Sequence, residues 1–490
     1  MVKEQLYPTP PEHLQRIGLR GLASWLGPGA IIASVTIGSG ELVWASRSGA
    51  VFGYGMLWCF LYAGVFKGIQ VYTAARHITL TGEHPLVGWA RPRWLPILPL
   101  VIAVPAVGLM PIAFSAIPEM LGSFIRRLSD VELTNWAPGV WADEEFEVNA
   151  WTTIVMLVCL ALALASNYKL IERVSAVVLA LIVASVAIAA ISLGPNLFEI
   201  ASGLFVPRVD DFPTWITSNA EYQTEFSNRN PWLEVSLYLA AVGGGAFDYI
   251  GYVGMLREKK WGLAGHRVAT RDELEEAVGD SKTSAETLRS AKLWTRAPLL
   301  DTLISFSIVI LVTLLFAILG KLILNSNHVV PANNQLLVHQ EQFLVALHPG
   351  LKWLYRTGVF LAFLGTLYGA YEVYQHTFVE SVHAIVPQLD TPAWTRGLRL
   401  TTVSWCFIGG MMMIWLPSSA AGSIIERMTF GSIISGAGAC GVWCFAMIWL
   451  DCVRLPGPLR MSWPLSCVTF VAGVVMTTLG VQTAIAYFSG

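Results

Sequence analysis

Residues 34–44 read SVTIGSGELVW: an apolar run is interrupted by Gly38, Ser39 and Gly40 and then meets a carboxylate, Glu41. Two glycines in so short a stretch weaken a helix, and an acid inside an apolar segment is costly without a purpose. The same fault returns at residues 242–248, VGGGAFD, where Gly243, Gly244 and Gly245 are followed by Ala246, Phe247 and Asp248. Whether these two breaks are packing notches or parts of one site decides how the whole chain is read.

The 490 residues are 54% hydrophobic and 13% charged, with a mean hydropathy of +0.58, a composition that excludes an ordinary soluble domain. Runs long enough to cross a hydrocarbon core of about 30 Å centre near residues 35, 64, 109, 158, 182, 244, 311, 367, 407, 437 and 476, giving eleven expected spans. The reading is a 1–21 tail followed by one membrane domain, 22–490, with the lipid bilayer as its first partner. The start of the chain lacks the pattern of a removable signal peptide, and its Pro-rich beginning is expected to be a mobile tail. Segment 257–296 is expected to be a charged surface hairpin or short helices. Of 31 Lys and Arg residues, 21 fall in the tail and alternate loops beyond it and 9 in the opposite loops, which predicts a cytoplasmic N-terminus and an external C-terminus in an inner (plasma) membrane. The remaining one, Lys67, lies inside the second span. Seven cysteines show no disulfide or metal-ligand spacing, and no nucleotide- or nucleic-acid-binding motif is present.

The two breaks lie five spans apart. Glycine breaks at corresponding positions of two halves point to an inverted-repeat transporter, in which discontinuous helices meet near the midplane. The halves are expected at about 22–194 and 232–450, with an eleventh span at about 464–487. Close helix packing by small residues is the alternative for either triplet alone.

Several scaffold stretches carry a family resemblance: Gly27-Pro28-Gly29, Ser48-Gly49-Ala50, Phe52-Gly53-Tyr54, Lys169-Leu170-Ile171-Glu172-Arg173-Val174 and Gly203-Leu204-Phe205-Val206-Pro207. Over roughly residues 20–450 the chain resembles the NRAMP family of proton-coupled divalent-metal transporters. The resemblance implies an all-α, LeuT-like membrane fold of five plus five inverted spans and one more, with spans one and six discontinuous. At the positions of the family's Asp-Pro-Gly-Asn this chain reads Gly38-Ser39-Gly40-Glu41, and at its Met-Pro-His it reads Ala246-Phe247-Asp248. The interior of the third span carries no carboxylate.

The buried polar residues then suggest roles. Carboxylates, carbonyls and water suit Mg²⁺, Mn²⁺ and Ca²⁺, so Glu41 and Asp248 are the candidate metal ligands, with Gly38, Ser39, Gly244 and Ala246 as the rest of a substrate site. Each acid also fits the first turn of a half-helix, where it would balance the positive end of the dipole. Lys67 is too deep to snorkel easily, which predicts an ion pair with a carboxylate of span one or six, either structural or as a coupling or gating group that occupies an acid while the site is empty. Tyr368, Glu372, Gln375 and His376 share one face of span eight and are candidates for coupling or gating. The leading expectation is a secondary transporter of a hard divalent cation, Mg²⁺ before Mn²⁺ or Ca²⁺, working by alternating access and needing no cofactor. The alternatives are a transporter of a small cationic or zwitterionic organic solute and a non-transporting sensor of the same fold. No nucleophile, base and orienting group can be assembled, so an enzyme is not expected. The sequence leaves the oligomeric state open.

Overall fold

The structure is a computed structural model that describes residues 6–15, 38–91, 97–129, 144–164, 169–279, 284–332 and 335–489. The first half of span one, including residues 22–37, lies outside the described residues. The second half is helical: a π-helical stretch Ser39–Ala45 runs directly into Ser46–Phe52, and together they form α1. The later elements are α2 (Leu57–Thr81), α3 (Ile97–Leu128), α4 (Glu144–Leu164), α5 (Lys169–Ser192), α6 (Pro231–Ala241), α7 (Ala246–Lys259), α8 (Arg296–Leu319), α9 (Lys352–Ile385), α10 (Pro392–Trp415), α11 (Ile424–Arg454) and α12 (Trp463–Ser489).

Every expected span centre after the first falls in one of these helices or, for residue 244, in the gap between α6 and α7. Among the described residues, seven helical stretches are long and apolar enough to cross a bilayer. An eighth is added if Val177–Ser192 and Leu197–Phe205, bent by 117°, count as one span. The chain is an integral membrane protein. Helices α2 and α9 are long as well, at 25 and 34 residues, but both carry ionisable groups and both are largely wrapped by their neighbours. In α3 the backbone is interrupted at Leu109, between Pro105 and Pro111, as expected where proline removes a donor and crowds the preceding turn.

Helices α1 and α8 touch through bare backbone. A Cβ on Gly49 would collide with the Ala317 carbonyl, and a Cβ on Gly320 would collide with the Ser46 carbonyl. Small residues on both partners allow this approach, which side chains would otherwise prevent.

Each end of the bundle is fastened by its own apolar cluster and ion pairs. At one end Tyr7 and Leu14 pack with Leu80, Leu263, Leu274, Trp294 and Leu455. The expectation of a mobile tail therefore fails for residues 6–15: the Tyr7 hydroxyl donates to the Leu80 carbonyl at 3.0 Å, and Trp294 Nε1 donates to the Pro8 carbonyl at 2.8 Å. Buried aromatic and leucine side chains outweigh the entropy that a proline-rich composition suggested. The 257–296 segment supplies the other wall, with short helices at Arg271–Gly279 and Ser284–Trp294. Nearby, Arg76 pairs with Asp451 at 2.8 Å and Arg454 with Glu83 at 2.8 Å, tying α2 and the loop after it to α11, and Arg257 pairs with Glu380 at 2.8 Å, tying α7 to α9.

At the opposite end Val51, Ile216, Tyr222, Phe226 and Val330 form a second small cluster. Beside it Arg47, fully buried in α1, donates to both oxygens of Glu234 in α6 at 2.9 Å, to the Pro331 carbonyl at 2.7 Å and to Glu225. Arg229 donates to Glu234 at 2.8 Å and to Thr429 of α11 at 2.9 Å, and the Tyr238 hydroxyl is the third side chain to donate to Glu234, at 2.8 Å. Arg47 is thus the hub of four segments.

Candidate functional site

Span six is interrupted where its glycines predicted. Helix α6 stops at Ala241, Val242 is extended, and Gly243 and Gly244 take φ of 71° and 69°. L side chains rarely tolerate this left-handed region, so the two consecutive residues need glycine. Gly245 is extended at the start of α7, and its N–H donates to Asp248 Oδ2 at 2.7 Å. Asp248 therefore caps the second half-helix, satisfying a free amide at the positive end of its dipole.

Capping does not remove Asp248 from solvent-sized space. A cavity of about 140 Å³ lies against the break, and Asp248 lines it with Gly244, Gly245 and Phe247. Helix α1 contributes Ser39, Gly40 and Trp44; α3 contributes the segment around its interruption, including Met110; α9 contributes Ala370 and Tyr374; α11 contributes Met428, Ser432 and Ser435. Span one meets span six here closely, since a Cβ on Gly40 would strike the Ala241 carbonyl. Two of the walls include π-helical turns, Ser39–Ala45 and Ile433–Gly438, whose wider coil leaves backbone groups less regularly paired. Asp248 is the one carboxylate on the wall among the described residues.

The remaining expected site residues divide. Ser39 and Gly244 line the cavity; Gly38 and Ala246 are buried beside it and do not. Glu41 is 0% exposed and faces away: its Oε1 accepts from Thr313 of α8 at 3.2 Å. The cause is helical rotation, because Ser39 and Gly40 turn toward the cavity and the next side chain is carried round toward α8. Its Oε2 has no hydrogen-bond partner among the described residues. No group of three or more His, Cys, Asp or Glu side chains that could hold a metal is found among the described residues.

Lys67 also departs from expectation. Among the described residues its ammonium pairs with neither acid; it donates to the carbonyls of Leu239 at 2.6 Å, Val242 at 3.2 Å and Gly244 at 2.5 Å. The break in span six leaves these oxygens without helical partners, and an ammonium offers three donors to match them. In α9, Tyr368 donates to Glu372 at 3.3 Å, Gln375 is half-buried, and His376 Nε2 lies 3.4 Å from Glu258 near the tail end. None of these four lines the cavity; Ala370 and Tyr374, on another face of the same helix, do. Trp44, Tyr374 and Met428 were missed because each reads as an ordinary apolar core residue in sequence.

Comparison with known proteins bears on the fold that carries this geometry. Residues 29–218 match the family described as Natural resistance-associated macrophage protein-like. Among solved structures, a manganese transporter from Eremococcus coleocola, crystallised with an aromatic bis-isothiourea substituted compound, is similar at a TM-score of 0.58 and 16% identity, covering 100% of this chain and 92% of that one. Two single-residue mutants of the same transporter are similar at TM-scores of 0.59 and 0.60, both at 16% identity, covering 96% and 100% of this chain and 88% and 92% of theirs. No curated protein sequence matches. The fold likeness runs along the chain, whereas the family match is confined to residues 29–218: the protein has the LeuT-like, inverted-repeat membrane fold of that manganese transporter and is similar to the NRAMP family over part of its length.

Proposed function

We propose that the protein is a secondary transporter of a divalent cation, moved by alternating access through the cavity between α1 and the α6–α7 break. The observation that carries this reading is the placement of Asp248: a carboxylate in the first turn after the break in a membrane span, on the wall of a cavity. The family relationship and the fold shared with a manganese transporter support a divalent metal as cargo. We assign the ion contacts to Asp248, the hydroxyls of Ser39, Ser432 and Ser435, and the exposed backbone of Gly244.

One carboxylate in a cavity of about 140 Å³ suits an ion that keeps part of its water shell, which favours Mg²⁺ over ions bound by stripped, multidentate sites. Glu41, held behind the wall and bonded to Thr313, is not assigned as a ligand. The domain is read as two five-span halves, about 22–194 and 232–450, with the N-terminus cytoplasmic because Lys and Arg concentrate on that side.

A second reading has its own observation. Trp44, Phe247 and Tyr374 put aromatic rings on the same wall as the single acid, an arrangement that also recognises a small organic cation. Flux into liposomes across Mg²⁺, Mn²⁺, Ca²⁺ and a set of small amines separates the two. Saturable Mg²⁺ or Mn²⁺ uptake is expected; amine uptake with no metal flux would transfer the site to organic cations.

A further inference from the structure

Lys67 is buried to 0% exposure in the middle of α2, and its three ammonium protons are fully used by three backbone carbonyls of span six. Two features show that this contact is built rather than incidental. Gly64, one turn earlier on the same face of α2, has no side chain, and a Cβ there would strike Ile310 and press on Val242, so α2 is brought close to the break. Two of the acceptors, Leu239 and Val242, moreover, are orphaned oxygens at the C-terminal, negative end of the α6 half-helix, where a positive charge is favoured, and the third, Gly244, belongs to the break itself.

Three carbonyl oxygens converging on one buried positive charge is the donor set of a monovalent-cation site. We propose that Lys67 is a tethered replacement for a free monovalent ion: its ammonium fills a carbonyl cage at the span-six break, so that the break stays formed without sodium or potassium. With its donors spent on carbonyls, Lys67 leaves the Asp248 carboxylate uncovered toward the cavity. It acts as a positioning residue, fixing the unwound backbone of Val242 to Gly244 beside the substrate site. The consequence for cargo movement rests on the transport reading above; the occupancy of the cage does not.

The test removes the ammonium and offers the cage other ions. Purified Lys67→Ala leaves both the carbonyls and the space, whereas Lys67→Met leaves the carbonyls but refills the space with an apolar chain. The melting temperature of each is followed with sodium, potassium or methylammonium replacing N-methylglucamine. The expected result is that Lys67→Ala gains about 2–4 °C with a small monovalent cation. Lys67→Met and the wild type should gain none. A folded Lys67→Ala that responds to no monovalent cation overturns the proposal, because a purely structural lysine would be lost without rescue. Should Lys67→Ala fail to be extracted in any salt, the wild type decides: stability indifferent to replacing sodium and potassium supports the tethered charge, and a sodium-dependent wild type overturns it. Because melting is read without substrate, failure here is distinguishable from an absence of divalent-ion flux.

Discussion

Asp248 does two jobs with one carboxylate, and a substitution can separate them. Asn retains an oxygen that accepts from the Gly245 N–H, so Asp248→Asn should keep the cap within about 1 kcal/mol, while the cavity loses its negative charge. We expect the variant to be extracted normally and to lose divalent-cation uptake by at least tenfold; unimpaired uptake would remove Asp248 from the site. Glu41→Gln is the control from behind the wall. The amide oxygen still accepts from Thr313, so uptake should fall less than in Asp248→Asn, and a larger loss would show that Glu41 reaches the ion in another state of the cycle. At this scale the sequence was only partly legible. Buried acids beside glycines announce themselves, but the partners of Lys67 are backbone oxygens, which no side-chain pattern records. The pairing of Arg47 with Glu234 spans 187 positions and leaves no local trace either.

At the scale of elements, the break in span six results from Gly243 and Gly244 holding left-handed backbone in succession. Gly244→Ala puts a side chain where φ is positive, at a cost of about 1–2 kcal/mol, and its Cβ would also collide with the Asp248 carboxylate. We expect uptake to be lost and the melting temperature to drop; wild-type behaviour in both would mean that the triplet tolerates a regular helix. The break was readable because glycine runs in an apolar span have few other uses. The cavity wall on α9 was not. The polar face of Tyr368, Glu372, Gln375 and His376 attracted attention, whereas the wall is made by Ala370 and Tyr374 from a less polar face, and polarity alone does not say which face meets a cavity.

The whole molecule is held at both ends by buried charge. At the end away from the tail, Arg47→Ala would leave Glu234 with Arg229 and Glu225 without the guanidinium; loss of a buried partner costs about 3–5 kcal/mol. We expect a clear fall in melting temperature and, in any protein that survives, faster solvent access to α6 and α1 by amide exchange. Unchanged exchange at α6 would show that the ion cluster does not fasten that end. The fold class was legible at this scale from span number and the recurring glycine break, while the docking of residues 6–15 was hidden because proline-rich composition resembles that of a loose tail.

The bare-backbone seam between α1 and α8 carries a mechanical consequence. Where side chains separate two helices, rotamer changes let one slide past the other; at Gly49 against Ala317 and Ser46 against Gly320 there is no such lubricant. The pair should behave as one lever. Spin labels placed on the solvent-facing ends of these two helices would then keep a single narrow distance distribution with and without cargo, and a broadened or shifted distribution would show that they slide. A lever fixed in this way makes the break at Gly243 to Gly245 the hinge about which the rest of the pathway turns.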